Sequence, residues 1–300
     1  MEKSKSVSLV LSSGGARGMA HIGAIEVLLE RGYTIAEVSG CSVGALVGGI
    51  YATGKLPEFK DWICNLGRID VFGLMDFSFS SKGFIKGERV FLEIKKIIQE
   101  CQIEDLNIPF SCNAVDYMSG EERVFQTGSL FSAIRASVSI PTMVQPSILD
   151  GSEYIDGGVL NPLPVEHLQL VGEHLVVAVN LNAAESIVVL PPSKDEEGRS
   201  LLKMPLWMQE YRAKMGLFFE EHHKNPKSKS LGSLDLLNRS FELMHDKLSR
   251  MTLAMHPVDV LVEISKRQAR SMEFYRAAEL IEIGRIKMEE ALNNFENADI

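Results

Sequence analysis

This chain is organised around the stretch VSGCSVGALVGG, residues 38–49. Ser42 lies between Gly40 and Gly44, which is the Gly-x-Ser-x-Gly spacing of a nucleophile elbow. In such an elbow a sharp turn holds the serine in an unusual backbone conformation, so the residues two positions away must be nearly bare. An extended apolar run precedes the turn, and small residues at helical spacing follow it. The stretch predicts a strand, a turn and a helix, and the alternative is a serine in an ordinary turn.

A glycine loop and a helix precede the elbow. Residues 7–12 predict a buried strand, the loop SGGARG follows at residues 13–18, and a helix begins near Met19 and ends at Arg31-Gly32. This order predicts parallel strands whose two turns share one carboxyl edge of the sheet, where open α/β sheets form their sites. The helix is expected to carry these side chains inward: Ile22, Ile25, Leu28 and Leu29.

The glycine loop has two enzymatic interpretations and one structural one. It could cradle a dinucleotide pyrophosphate, but Ser13 stands where that fingerprint needs its first glycine, and no acidic residue ends the second strand. It could instead offer backbone N–H groups to an oxyanion. A simple tight turn would not explain why three glycines and Arg17 cluster there.

The rest of the first 181 residues predicts further alternation of helices and strands. Residues 71–79 are aromatic-rich and suggest a loop over the site, and residues 132–141 suggest a short helix that runs into a turn. Asp156 ends an extended apolar run and precedes Gly157 and Gly158, which would allow close approach to its carboxylate. A turn-forming Asp-Gly pair is the alternative for Asp156. The other predicted elements are helices over residues 56–66 and 88–100 and strands over residues 109–116, 122–127 and 175–180.

Four blocks in this order resemble the patatin-like phospholipases, in particular the small stand-alone bacterial members. They are the glycine loop, the elbow, the stretch ASVSIP at residues 136–141 and the Asp156-Gly157-Gly158 motif. The resemblance covers about residues 7–181. Ser13 departs from the family pattern because it replaces the first glycine of the loop. Residues 143–146 depart too, because they lack the phenylalanine often found before the proline.

The resemblance implies a three-layer α/β/α sandwich with a mainly parallel sheet and a Ser-Asp dyad. Carried over to this sequence, the resemblance makes Ser42 the nucleophile and Asp156 the general base. The elbow glycines Gly40 and Gly44 flank Ser42. The oxyanion hole would be formed by backbone N–H groups, those of Gly14, Gly15, Ala16 and Val43. Arg17 either adds electrostatic support or forms an ion pair that holds the loop. No cofactor and no metal are expected.

The chain beyond this region is expected to be a mostly helical extension. We expect a patatin-like catalytic domain at residues 7–181 and a C-terminal extension at residues 182–300 that packs on it. Residues 206–222 predict an amphipathic helix that is either core or a mobile cover. A long helix over residues 231–255, a strand over 259–264 and a closing helix over 275–295 are predicted to follow.

The net charge and the cysteine content of the chain restrict the classes of partner it can be expected to bind. The net charge of −9 and the pI near 5.4 argue against nucleic acid and against broad adsorption to anionic membranes. No signal segment follows the first residues, and the four cysteines lack metal-ligand spacing, which predicts reduced thiols in the cytoplasm. Peripheral contact with the inner face of the membrane is one further expectation. The partner is expected to be a lipid or acyl-ester substrate, and the sequence leaves the oligomeric state open.

Two other functions stay open at this point. An α/β-hydrolase triad of Ser, Asp and His is formally available, since six histidines follow Asp156, but only one strand precedes the strand that leads to Ser42. Most of those histidines are expected to be solvated helix residues. A non-catalytic lipid-binding or regulatory protein on the same fold is the second alternative, although both dyad residues are present.

Overall fold

The computed structural model describes residues 5–80, 83–169, 174–190 and 233–298. The strands in these ranges are β1 (Ser6–Leu11), β2 (Thr34–Cys41), β3 (Phe77–Ser80), β4 (Gly83–Ile85), β5 (Phe110–Asp116), β6 (Glu122–Phe125), β7 (Ser147–Leu149), β8 (Ser152–Asp156), β9 (Leu175–Ala183) and β10 (Val260–Ser265). The α-helices are α1 (Met19–Glu30), α2 (Val43–Ala52), α3 (Leu56–Cys64), α4 (Arg68–Leu74), α5 (Glu88–Ile97), α6 (Leu130–Ser137), α7 (Ser233–Met255) and α8 (Ala277–Asn297).

A central sheet of eight strands carries the fold. Its order is β10-β9-β1-β2-β5-β8-β7, with β6 paired to β5 outside this path. The five strands from β10 to β5 are parallel, whereas β6 and β8 run antiparallel to β5, and β7 runs antiparallel to β8. The α/β class with a mainly parallel sheet is therefore confirmed.

Helices cover the sheet, and its central strands are buried along most of their length. Five of the six residues of β1 are buried, which is the pattern of a parallel strand that is packed on both faces. Helix α2 packs on β2 and α6, helix α7 packs on β9, and α8 packs on β10. The C-terminal part of the chain thus supplies one edge strand of the main sheet.

Helices α1 and α8 approach each other closely through two glycines. A Cβ atom at Gly23 would lie 1.9 Å from the carbonyl oxygen of Ile281, and one at Gly284 would lie 2.0 Å from that of Ala20. Real Cβ atoms do not come so close to a backbone oxygen, so only glycine allows this spacing. The contact locks the last helix of the described chain onto the first.

Most predicted elements are confirmed, and two details are wrong. Leu29 is 44% exposed rather than inward. The predicted loop at residues 71–79 is instead mostly α4 and β3. Helix α4 forms because Val71 and Leu74 bury one face of a short turn and Asp70 accepts the N–H of Gly67 at 2.7 Å, which caps its start. The predicted helix over residues 206–222 lies outside the described residues.

Candidate active site

Ser42 occupies a strained turn between β2 and α2. Its φ of 54° and ψ of −118° are unusual for a residue with a side chain, and such a conformation costs on the order of 1–3 kcal/mol. A Cβ atom at Gly40 would lie 2.5 Å from the carbonyl oxygen of Gly44, and one at Gly44 would lie 2.1 Å from that of Leu11. The two flanking glycines are therefore required by the close packing of the turn.

Strand β5 brings Asp156 to Ser42. Strand β6 occupies one edge of β5, so β2 and β8 share the other edge. Strand β2 is paired up to Cys41, which lies opposite Asn113, and β8 ends at Asp156, opposite Ala114. Asn113 and Ala114 are consecutive and only about 3.3 Å apart along the strand. The two strands thus point at each other end to end, and their terminal side chains meet.

The hydroxyl of Ser42 donates a hydrogen bond directly to Oδ2 of Asp156. The other carboxylate oxygen, Oδ1, accepts the N–H of Gly158 at 2.8 Å. Both side chains are almost fully buried, with 3% of Ser42 and 5% of Asp156 exposed. Burial raises the pKa of Asp156 to about 6, against the opposing effect of the two hydrogen bonds. The carboxylate is therefore a stronger base than an ordinary aspartate.

The stretch at residues 136–141 supports both members of this pair. The hydroxyl of Ser137, at the end of α6, accepts the N–H of Ser42 at 2.8 Å. The carbonyl oxygen of Ser139 accepts the N–H of Asp156 at 3.0 Å. Sequence reasoning singled out the stretch by resemblance but assigned these two serines no role. Their role is to hold the two backbone segments that carry the hydroxyl and the carboxylate.

Backbone donors of the glycine loop and of α2 lie beside the serine. In the described part of the chain, the N–H groups of Gly14, Gly15 and Val43 have no hydrogen-bond partner. The fourth expected donor differs, because the N–H of Ala16 donates to the carbonyl oxygen of Ser271 at 2.9 Å. Ala16 is thus engaged in holding the loop against the C-terminal segment, and the other three donors are unpaired among the described residues.

Arg17 holds the loop through backbone carbonyls, and within the described residues it forms no ion pair. It is 2% exposed, and its guanidinium donates to the carbonyl oxygens of Leu181, Lys266 and Ala269 at 3.1, 3.1 and 2.9 Å. Burial lowers its pKa to about 10, and the nearby Glu242 opposes this shift. These bonds tie the glycine loop to the end of β9 and to the turn after β10.

Two cavities meet at Ser42. The larger, about 150 Å³, is apolar and is lined by side chains from several helices, among them Leu46, Phe59, Trp62, Phe91 and Phe274. The smaller, about 60 Å³, is more polar and reaches Ser13, Arg17, Glu242 and His245. A molecule with an apolar and a polar end could place the bond between them at the serine.

His245 reaches the site from α7, which sequence reasoning missed. We expected the histidines after Asp156 to be mostly solvated, but His245 lies at the polar cavity with Nδ1 3.4 Å from the hydroxyl of Ser13. Desolvation of the ring and the nearby Arg17 lower its pKa to about 4. Its position 203 residues after Ser42 left no local signal. Within the described ranges no three metal-ligating side chains are placed to hold an ion.

Comparison with known proteins identifies the family of this chain. The family model for patatin-like phospholipases matches residues 9–168. Uncharacterized NTE family proteins of Mycobacterium bovis and Mycobacterium tuberculosis are 36% identical over 98% of this chain and 93% of their own length. The lysophospholipase NTE1 of Mycosarcoma maydis is 34% identical over 60% of this chain and 10% of its own.

The chain therefore belongs to the patatin-like phospholipase family, and it is a lipid ester hydrolase. Among solved structures, VipD from Legionella pneumophila matches with a TM-score of 0.48 at 13% identity, over 98% of this chain and 67% of that one. None of the helices in the described residues has the length and apolar character needed to cross a membrane.

Proposed function

We propose that the protein cleaves carboxylic ester bonds of phospholipids or lysophospholipids with a Ser42-Asp156 dyad. The observation that carries the proposal is the direct hydrogen bond from the Ser42 hydroxyl to the buried carboxylate. A serine hydroxyl is a weak nucleophile until a base takes its proton, and the raised pKa of Asp156 suits it to that role. The lysophospholipase name of the fungal relative supports the substrate class.

The reaction runs in two halves. Ser42 Oγ attacks the ester carbonyl carbon while Asp156 takes the hydroxyl proton, and the carbonyl oxygen becomes an oxyanion. Collapse of this intermediate breaks the ester C–O bond, and Asp156 returns the proton to the departing alcohol. Water then attacks the acyl-serine, Asp156 again accepts a proton and passes it to Ser42, and a fatty acid leaves.

The oxyanion would be bound by the free N–H groups of Gly14, Gly15 and Val43. Donors of this kind are oriented before the reaction begins, so each contributes typically about 3 kcal/mol to the transition state. We assign the apolar cavity to the acyl chain, since its lining contains aromatic and aliphatic side chains and it opens at Ser42. The polar cavity then faces the alcohol side of the ester.

A fluorophosphonate probe and a panel of esters test the proposal. Wild type should be labelled at Ser42 and should hydrolyse lysophospholipid, whereas Ser42→Ala and Asp156→Asn should fold and lose turnover. Asp150→Asn is the matched control, because Asp150 is exposed and its φ of 52° suits asparagine. Absence of labelling in folded wild type would favour the lipid-binding alternative.

The triad alternative has its own test. The ring nitrogens of His245 lie against Ser13 and Gly158, and the hydroxyl of Ser42 is already bound to Asp156. Replacement of each of the seven histidines by glutamine should therefore leave most of the activity. A folded glutamine variant without turnover would revive the triad. Cytoplasmic location and peripheral contact with the inner membrane face stay predictions from the sequence.

A further inference from the structure

Three polar groups from distant parts of the chain converge on Gly158. A Cβ atom there would lie 3.1 Å from Oδ1 of Asp156, 3.2 Å from Nε2 of His245 and 3.2 Å from the hydroxyl oxygen of Ser13. These groups belong to the base turn (residues 156–158), to helix α7 and to the glycine loop (residues 13–18). The glycine makes room for a polar junction directly behind the candidate base.

The imidazole of His245 contacts a different segment of the chain with each nitrogen. Nδ1 lies 3.4 Å from the hydroxyl of Ser13. Nε2 lies against Gly158, since a Cβ atom at this glycine would come within 3.2 Å of it. The neutral ring with its proton on Nε2 suits this place, since Nδ1 can then accept the hydroxyl proton of Ser13.

Ser13 and Gly158 each adjoin groups that take part in the proposed reaction. Ser13 is anchored by its N–H, which donates to Pro162, and by its carbonyl oxygen, which accepts from Asn182. The next residues along the chain are the free donors Gly14 and Gly15. On the other side, the N–H of Gly158 holds Oδ1 of Asp156 at 2.8 Å. A side chain that contacts both Ser13 and Gly158 therefore fixes the spacing between the oxyanion donors and the base.

We propose that His245 is a positioning residue for the dyad, which through Ser13 and Gly158 holds the glycine loop in register with the base turn. The proposal rests on the proposed function and explains why Ser13 stands where the family pattern has glycine. It also gives the C-terminal part of the chain, outside the family match at residues 9–168, a role in the site. An uncharged imidazole suits this place, because a cation so near would favour ionised Asp156 and weaken it as a base.

Kinetics of substituted proteins test the proposal. His245→Leu fills the space without the hydrogen bond to Ser13, and His245→Gln keeps a polar end that can reach the Ser13 hydroxyl. With a short monomeric ester, His245→Leu should lower kcat about tenfold with KM within about twofold, and His245→Gln should recover most of the loss. Lys247→Leu is the matched control, because Lys247 is an exposed residue on the same helix.

A double-mutant cycle approaches the same contact from its other end. Ser13→Ala should also lower kcat, and adding it to His245→Leu should cost far less than the product of the two single effects. If His245→Leu does not fold, His245→Ala replaces it in the cycle, and effects of Ser13→Ala and His245→Ala that simply multiply would count against the proposal.

The outcomes separate this proposal from the proposed function. Unchanged kcat in folded His245→Leu would overturn the positioning role while labelling of Ser42 in wild type keeps the hydrolase. A folded His245→Gln as inactive as Ser42→Ala would make the imidazole itself a proton carrier, which overturns the positioning role and the dyad. Full activity in Ser42→Ala would remove the proposed function whatever the histidine does.

Discussion

The charge on Asp156 should make the protein more active and less stable as the pH rises. Burial raises the pKa of this carboxyl from 3.8 to about 6, so the folded protein binds the proton more tightly than the unfolded chain. The bound proton on Asp156 stabilises the fold fully below pH 3.8, and this stabilisation is lost as the pH rises through 6. The difference corresponds to about 3 kcal/mol, which is the cost of the buried charge at neutral pH.

The substitution Asp156→Asn isolates this cost, because the amide has nearly the same shape and no charge. At pH 7.5 the variant should melt higher than wild type, by up to about 3 kcal/mol in free energy of unfolding. The gap should close as the pH falls toward 4, where the wild-type carboxyl is protonated. Melting curves of wild type, Asp156→Asn and the exposed control Asp150→Asn across pH 4–8 measure it.

Activity should show the opposite trend in the same protein. With a pKa near 6, about a tenth of the carboxyl is ionised at pH 5 and about nine-tenths at pH 7. The kcat/KM for a short ester should therefore fall about tenfold between pH 7 and pH 5, since this ratio reports the free enzyme. A stability gap that does not depend on pH, or a kcat/KM that stays level down to pH 5, would refute the reasoning.

Three further substitutions test separate parts of the structure. Gly15→Val should lower kcat at least about a hundredfold, because φ is +58° there and a Cβ atom would lie 2.7 Å from the carbonyl oxygen of Ser271. Gly54→Val is the control, since Gly54 has a φ of +74° and open space around it. Equal kcat in both variants would argue against a donor role for the loop. Leu46→Trp, in the apolar cavity, should lower kcat/KM for a decanoyl ester far more than for an acetyl ester; equal losses would show that the acyl chain lies elsewhere. Gly284→Val should lower the melting temperature sharply, because a Cβ atom at Gly284 would overlap the carbonyl oxygen of Ala20. Asn294→Val, on the exposed surface of α8, is the control. Similar melting temperatures for both variants would mean that α1 and α8 can separate at little cost.

Local patterns in the sequence were sufficient to predict most helices and strands and the two glycine-rich turns. Backbone geometry acts over a few residues, so Gly40 and Gly44 around Ser42 predict the turn, and apolar periodicity predicts β1, α1 and β5. Helix α4 escaped prediction because its short buried face, with Val71 and Leu74, lies in an aromatic-rich stretch that also fits a loop. The order of the four motifs along the chain was sufficient to identify the family.

Contacts between distant residues decided the chemistry. Ser42 and Asp156 meet only because β2 and β8 end on consecutive residues of β5, and pairing register is a property of the whole sheet. The pKa of Asp156 depends on burial by many segments, and Ala16 and Arg17 acquired their carbonyl partners from the C-terminal part of the chain. His245 lies 232 residues from Ser13, so their contact exists only in the folded chain.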